Sequence, residues 1–155
     1  MSFTKVEKGV CAAKGFVANG LNCGLNSDKN KNDLALVYSE AECQAAAVYT
    51  TNKVKGAPIQ VTKAHLEASG HTAKAVIANS KNANTCNADG VEVAEQMCAL
   101  VEEYAGIDKN DVVVASTGVI GQPLDIEPIK NGMASLVESL NYNGSEDAAY
   151  GIMTT

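Results

Sequence analysis

The sequence predicts an α/β fold in which helices and a mixed sheet pack as a layered sandwich. Two short apolar runs on either side of residue 40 predict neighbouring antiparallel strands. After Pro58, short buried strands alternate with amphipathic helices. The chain has 155 residues, of which 46% are apolar and 19% charged. That size and composition suit one globular domain or one large part of a domain.

The first predicted elements are two strands that follow a polar loop. Residues 26–32 are Asn, Ser, Asp and Lys only, which is typical of a loop. Residues 34–38 and 45–50 are apolar runs bounded by polar residues, as in short strands. Because few residues separate the two runs, we expect them to pair in antiparallel fashion.

A short helix and a buried strand come next. The pattern over residues 61–67 predicts a helix that Gly70 closes. Residues 75–78, Ala-Val-Ile-Ala, predict a buried strand directly after it.

A longer helix and another strand follow. Apolar residues recur on one face over residues 89–104, and Asp89 and Glu92 have the spacing of a capping box. The β-branched run at residues 112–115 shows no polar alternation, so we expect both of its faces to be buried.

Two further helices complete the chain. One begins near Asp125 with Pro128 in its first turn. Its apolar positions fit one stripe of a 3.6-residue period; they are Ile129, Met133, Leu136, Val137 and Leu140. A final helix covers residues 146–152.

Charge and cysteine content exclude several classes of protein. The net charge of −6 disfavours nucleic acid and anionic membranes as partners. All 12 basic residues are Lys, so any anion must be held by Lys, backbone N–H groups or hydroxyls. The five cysteines form no CxxC pair, which disfavours a zinc ribbon or a disulfide scaffold. Reduced thiols, no signal peptide and no long apolar span predict a cytoplasmic protein.

The turn after residues 112–115 is the strongest candidate site. Ser116, Thr117 and Gly118 lead from a buried strand toward the helix near Asp125. Gly118 lacks a Cβ, so its N–H group can approach a ligand closely, with the Thr117 hydroxyl beside it. Two such donors directed at one point can stabilise an oxyanion. A plain strand-to-helix turn that needs small residues explains the same pattern and is the more common case.

A second candidate is the amide-rich segment at residues 79–84, Asn-Ser-Lys-Asn-Ala-Asn. Its side chains can bind a ligand or, equally well, cap their own loop through Asx turns. His65 and His71 have no carboxylate or cysteine at ligand spacing, so no metal site is predicted.

Segments over nearly the whole chain, in one consistent order, resemble the bifunctional ornithine acetyltransferase/N-acetylglutamate synthase family. Each segment alone is too short to identify a family, but the occurrence of all of them in the same order makes the match specific. The matching segments are residues 9–16, 22–24, 33–39, 48–58, 79–84, 116–121 and 151–155.

The resemblance implies a helix–sheet–sheet–helix sandwich with mixed sheets, in which residues 1–155 are the N-terminal, alpha-chain portion and hold no second domain. The family transfers an acetyl group from N-acetylornithine to glutamate in arginine biosynthesis, and some members also use acetyl-CoA. No cofactor is implied. The precursor cleaves itself, and the threonine that heads the beta chain becomes the nucleophile.

The resemblance also implies roles for individual residues. Its oxyanion hole is a Thr-Gly pair, which corresponds to Thr117 and Gly118. A threonine of its Thr-Thr-Asp-Thr segment binds substrate and corresponds best to Thr154, with Thr155 the poorer match. The implied partner is the C-terminal beta chain, in an assembly of two alpha and two beta chains.

Two departures from the family pattern limit this interpretation. Lys81 stands where the family has a glycine, which would strain the backbone if a positive φ is needed there. The sequence ends at Thr155, before the nucleophile, so we expect this polypeptide alone to be inactive. A truncated, inactive product and a small-molecule binding domain are the alternatives.

Overall fold

The computed structural model describes residues 3–154. Its strands form one four-stranded mixed sheet. The strands lie in the order β1 (Phe16–Leu21), β2 (Leu34–Gln44), β3 (Thr72–Asn79) and β4 (Val112–Ser116). The pairs β1–β2 and β2–β3 are antiparallel, whereas β3–β4 is parallel. The predicted α/β class with a mixed sheet is therefore confirmed.

Four helices flank the sheet and confirm the four predicted helical segments. They are α1 (Ala57–Ala68), α2 (Gly90–Ala105), α3 (Glu127–Glu138) and α4 (Ser145–Ile152). Proline in the first turn favours the starts of α1 and α3, because its fixed φ suits that position. Within the described range, none of the helices is long and apolar enough to cross a membrane.

The main core lies between one face of the sheet and helices α1 to α3. Leu36, Ile77 and Val114 contribute the sheet side, and Met97 and Met133 contribute the helix side; none is more than 3% exposed. Truncating such a side chain to alanine typically costs about 2–5 kcal/mol of stability. This core fixes the strand ends from which the candidate site is built.

Helix α4 covers the opposite face of β1 and β2 through small residues. Ala18, Ala35 and Ala148 form a second buried cluster there. Gly20 lies so close to the helix that an added Cβ would be 2.1 Å from the Asp147 carbonyl oxygen. This close packing places the end of α4 beside the ends of the first two strands.

The predicted strand at residues 45–50 is wrong. These residues have no regular structure, and Val48 is fully exposed. Strand β2 instead extends to Gln44 and pairs with β1, a strand that the sequence analysis did not predict. The Asn19-Gly20 pair in β1 is typical of a turn, but Gly20 is required there by the packing of α4.

The predicted burial of both faces of the run at residues 112–115 is also wrong. Val112 and Val114 are buried, but Ala115 is exposed, because helix α4 covers that face of the sheet mainly over β1 and β2, and β4 lies at the far edge. The predicted capping box does not form either, since the Asp89 side chain makes no capping hydrogen bond with α2.

Candidate functional site

The turn that carries Thr117 and Gly118 is exposed and held by backbone hydrogen bonds. The Thr117 N–H donates to the Asn79 carbonyl at 3.0 Å, and the Val119 N–H donates to the Lys81 carbonyl at 3.1 Å. Among residues 3–154, no hydrogen bond of ordinary geometry uses the Gly118 N–H or the Thr117 hydroxyl. Both residues are exposed, and the turn is held against the backbone of residues 79–82.

Gly118 occupies a position that only glycine tolerates. Its φ of +137° lies outside the range that side chains normally allow. An added Cβ would lie 2.2 Å from the Lys81 carbonyl carbon and 2.4 Å from the Asn82 nitrogen. The turn thus packs directly on the backbone of the amide-rich segment.

The amide side chains of residues 79–84 hold this turn in place. Asn79 Oδ1 accepts a hydrogen bond from the Ser116 hydroxyl at 2.7 Å. Asn82 Nδ2 donates to the carbonyl oxygens of Gln122 and Pro123 at 3.0 and 3.2 Å. Asn84 Nδ2 donates to the Gly90 carbonyl at 2.8 Å. These amides serve architecture, and they link two segments far apart in sequence.

Lys81 is the exposed member of that segment and has a left-handed backbone. Its φ is +76°, the conformation that the sequence analysis named as strained for any residue but glycine. Its backbone supports Gly118 on one side, and Lys81 also lines a cavity on the other. Lys81 therefore connects the turn to the cavity.

Thr154 lines the same cavity as Lys81. The cavity has a volume of about 440 Å³, within the range of small-molecule sites. Thr117 and Gly118 are not part of its wall, so they adjoin it through Lys81. Thr155 lies outside the described residues. The cavity is lined by Asn26, Asn30, Lys31, Asn32, Lys81, Asp147, Tyr150, Met153 and Thr154.

Side-chain hydrogen bonds hold the loop on the far side of this cavity. The polar composition of the loop did not predict them. Asp33 is fully buried, and its two carboxylate oxygens accept hydrogen bonds from the Cys23 and Asn26 N–H groups at 2.7 and 2.6 Å. Asn22 Nδ2 donates to three carbonyl oxygens of the same loop. An aspartate directly before an apolar strand was the available signal for this anchor.

The surroundings of two of the five free cysteines raise the pKa of their thiols and so lower their reactivity. Burial, aided by the neighbouring Asp33 carboxylate, raises the pKa of the Cys23 thiol to about 12. Burial, with the nearby Glu95 carboxylate, raises the pKa of the Cys98 thiol to about 12. A thiol with such a pKa is protonated at neutral pH and is a poor nucleophile.

His65 is buried and contacts a carboxylate that lies 30 residues away in sequence. Its Nδ1 lies 3.2 Å from the Val112 carbonyl oxygen, and its Nε2 lies 3.2 Å from both Glu95 oxygens. Lys109 Nζ lies 3.1 Å from the same carboxylate. Burial alone would raise the pKa of Glu95, but the hydrogen bonds from Lys109 and His65 outweigh it and lower that pKa.

The described range brings together no three His, Cys, Asp or Glu side chains that could hold a metal ion. The His65 cluster ties α1 and α2 to β4 and lies away from the Lys81 cavity, with which it shares no lining residue.

The chain is similar to sequences of a known family. A profile of the ArgJ family matches residues 17–155. The arginine biosynthesis bifunctional protein ArgJ of Caldanaerobacter subterraneus is 44% identical over 92% of this chain and 34% of its own length. The protein of the same name from Bacillus cereus is 42% identical over 99% of this chain and 38% of its own. The chain thus spans about a third of these relatives.

Solved structures of two relatives have the same fold. The arginine biosynthesis bifunctional protein ArgJ of Bacillus halodurans superposes with a TM-score of 0.89 at 36% identity, over 98% of this chain and 79% of that one. Ornithine acetyltransferase from Mycobacterium tuberculosis, crystallised with ornithine, superposes with a TM-score of 0.88 at 34% identity. That match covers 96% of this chain and 80% of the other.

Proposed function

The chain belongs to the ArgJ family, and on this premise we propose that it supplies the oxyanion hole of an ornithine acetyltransferase. Residues 1–155 are then the N-terminal, alpha-chain portion, in one unit. The nucleophilic threonine belongs to a C-terminal beta chain that self-cleavage separates from it. The similarity to ArgJ relatives over more than nine-tenths of this chain supports the proposal.

The reaction proceeds through an acetyl-threonine. The beta-chain threonine hydroxyl attacks the acetyl carbonyl of N-acetylornithine, and the carbonyl oxygen becomes an oxyanion. The Thr117 hydroxyl and the Gly118 N–H donate hydrogen bonds to that oxygen. Collapse of the tetrahedral intermediate releases ornithine as the free amine, and the glutamate amine then takes the acetyl group in a second, equivalent attack.

The observation that carries this proposal is the pair of free donors on a rigid turn. Gly118 packs against the backbone of Lys81 and Asn82, and Asn79 fixes the strand end through Ser116. Donors that are already oriented need no reorganisation when charge develops on the substrate oxygen. A flexible loop with the same two groups would lose much of this advantage.

We propose that the cavity lined by Thr154 and Lys81 receives the substrate next to the turn. The Thr154 hydroxyl can hydrogen-bond to a polar group of N-acetylornithine or glutamate. The lysines, Lys31 and Lys81, can pair with the α-carboxylate that both substrates carry. Asp147 in the same wall can pair with the amine at the other end of ornithine.

The wider assembly follows from the same proposal. Two alpha and two beta chains form the enzyme, and arginine biosynthesis is the pathway; acetyl-CoA is an alternative acetyl donor that only some members of the family use. A cytoplasmic location fits the five free cysteines, since thiols stay reduced there.

Reconstitution with the C-terminal part tests the proposal. Ornithine release from N-acetylornithine is measured with Thr154→Val and with Thr85→Val, a matched change at a hydroxyl that donates to the Ala83 carbonyl and does not line the cavity. We expect Thr154→Val to raise KM and Thr85→Val to leave it unchanged. Equal KM values for Thr154→Val and the unaltered enzyme would reject the substrate role of Thr154.

A further inference from the structure

A second cavity lies on the other side of the amide-rich segment, where Asn84 forms part of its wall. It has a volume of about 540 Å³, which is sufficient for a nucleotide-sized molecule. Its wall shares no residue with the cavity that contains Thr154. It is lined by Tyr49, Lys53, Val54, Lys55, Ala57, Ile59, Gln60, Lys63, Asn84, Cys86, Asn87 and Val91.

The wall of this cavity is positively charged although the chain as a whole is acidic. Three of the 12 lysines line it, namely Lys53, Lys55 and Lys63. No aspartate or glutamate lines it. Within the described residues, one carboxylate forms an ion pair with these lysines. It is Glu67, which lies 3.8 Å from Lys63 and is largely exposed. A cavity wall with several cations and no carboxylate favours an anionic ligand.

The start of helix α2 adds to the positive field. Asn87 and Val91, on either side of the first residue of α2, line the cavity. The Asp89 side chain does not cap this helix, so its first N–H groups are not satisfied by that carboxylate. A helix of 16 residues has a partial positive charge at this end, which attracts anions, and the carboxylates of Asp89 and Glu92 offset part of that charge.

Asn84, in the wall of this cavity, has a side-chain oxygen without a hydrogen-bond donor in the described residues. The residue is fully buried and lines the cavity. Its Nδ2 donates to Gly90, but its Oδ1 has no hydrogen-bond partner within residues 3–154. Buried acceptors in folded proteins are normally satisfied, so the oxygen points to a donor that this part of the chain does not supply.

We propose that this cavity binds a phosphorylated small molecule that carries an N–H or O–H group. The phosphates pair with the lysine ammonium groups, for which Lys is a common partner, and approach the start of α2. The N–H or O–H group serves Asn84 Oδ1. This cavity is separate from the one proposed for N-acetylornithine, because its wall contains neither Lys81 nor Thr154.

Cys86 gives a direct readout, since it is exposed and lines the cavity. The full chain is alkylated with iodoacetamide, a neutral reagent, and the Cys86 peptide is quantified by mass spectrometry with and without ADP. We expect ADP at millimolar concentration to protect Cys86 but not Cys43, which lies outside the cavity. Pyrophosphate, which has the phosphates but none of the N–H and O–H groups of adenosine, should protect Cys86 less well than ADP.

Charge-matched variants decide whether the lysines are responsible. Lys53→Gln with Lys55→Gln should weaken protection by ADP about tenfold or more, since hydrogen bonds to charged groups are the strong ones. Lys14→Gln with Lys130→Gln removes the same charge from exposed positions outside the cavity and should leave protection unchanged. No protection by ADP, equal loss in both double variants, or equal protection of Cys43 would each overturn the proposal.

Discussion

Replacing Gly118 by alanine should destabilise the protein far more than the same change at Gly121. Both glycines have a positive φ, +137° and +77°. An added Cβ at Gly121 meets nothing within 4 Å, whereas at Gly118 it would lie 2.2 Å from the Lys81 carbonyl carbon. The pair therefore separates the cost of the backbone conformation from the cost of the close approach.

The expected magnitudes follow from these two costs. A non-glycine residue in the left-handed region costs about 1–2 kcal/mol, so Gly121→Ala should lower the free energy of unfolding by about 1 kcal/mol. At Gly118 the backbone cost is about 1–3 kcal/mol, and forcing an extra methyl against packed atoms adds about 1–3 kcal/mol. Since Lys81 contributes rigid backbone there, we expect a total of about 3–4 kcal/mol for Gly118→Ala.

Urea unfolding followed by far-UV circular dichroism measures both variants. With a common slope, the difference in midpoints gives the difference in free energy. Equal losses for the two alanine variants would refute the reasoning, because they would mean that Gly118 does not press on the Lys81 backbone.

Three further predictions concern activity, pH and the ordered loop. The 155-residue chain alone should show no acetyl transfer from N-acetylornithine to glutamate above background; turnover would mean that the nucleophile lies within it. Glu95→Gln should cost about 1 kcal/mol at neutral pH, a modest value because the carboxylate is one-third exposed and screened. Lys109 and His65 lower the pKa of Glu95 on folding, so the stabilisation by the Glu95 carboxylate is fully present above the ordinary pKa of a glutamate. It fades as the pH falls through the lower pKa of the folded state. A difference in urea midpoints that does not change with pH would contradict this expectation. Asp33→Asn should lower the free energy of unfolding by about 2–3 kcal/mol in the same assay, because the new NH2 group would meet one of the two backbone N–H donors that the carboxylate now accepts from. Asp28→Asn, at an exposed position, is the control. An equal loss in the two variants would count against the role of Asp33 as an anchor.

The helices were predictable because their signals are local. The apolar stripe of α3 and the glycine that ends α2, Gly106 with a φ of +68°, lie within one element and need no partner to be recognised. The Thr117-Gly118 turn was predictable as a place where a backbone N–H can approach a ligand. Its role as a site stays a proposal.

Apart from the capping box at Asp89, the failures involve partners distant in sequence. Residues 45–50 have the composition of a strand, but the partner that defines β2 is β1, whose Asn19-Gly20 pair is typical of a turn. Burial of the run at residues 112–115 depends on the position of β4 at the sheet edge, which no local pattern encodes. The Asp33 anchor and the shared cavity of Lys81 and Thr154 likewise arise only when the chain folds.

The most direct test of the central claim is the rate of acetyl-enzyme formation in a reconstituted enzyme with Thr117→Val and Thr117→Ser. Valine keeps the shape of the side chain and removes the hydroxyl, whereas serine keeps the hydroxyl. Rapid-quench measurement of ornithine release should show about a 100- to 1,000-fold slower first turnover for Thr117→Val and a near-normal rate for Thr117→Ser. Equal first-turnover rates for Thr117→Val and the unaltered enzyme would show that the Thr117 hydroxyl does not stabilise the oxyanion.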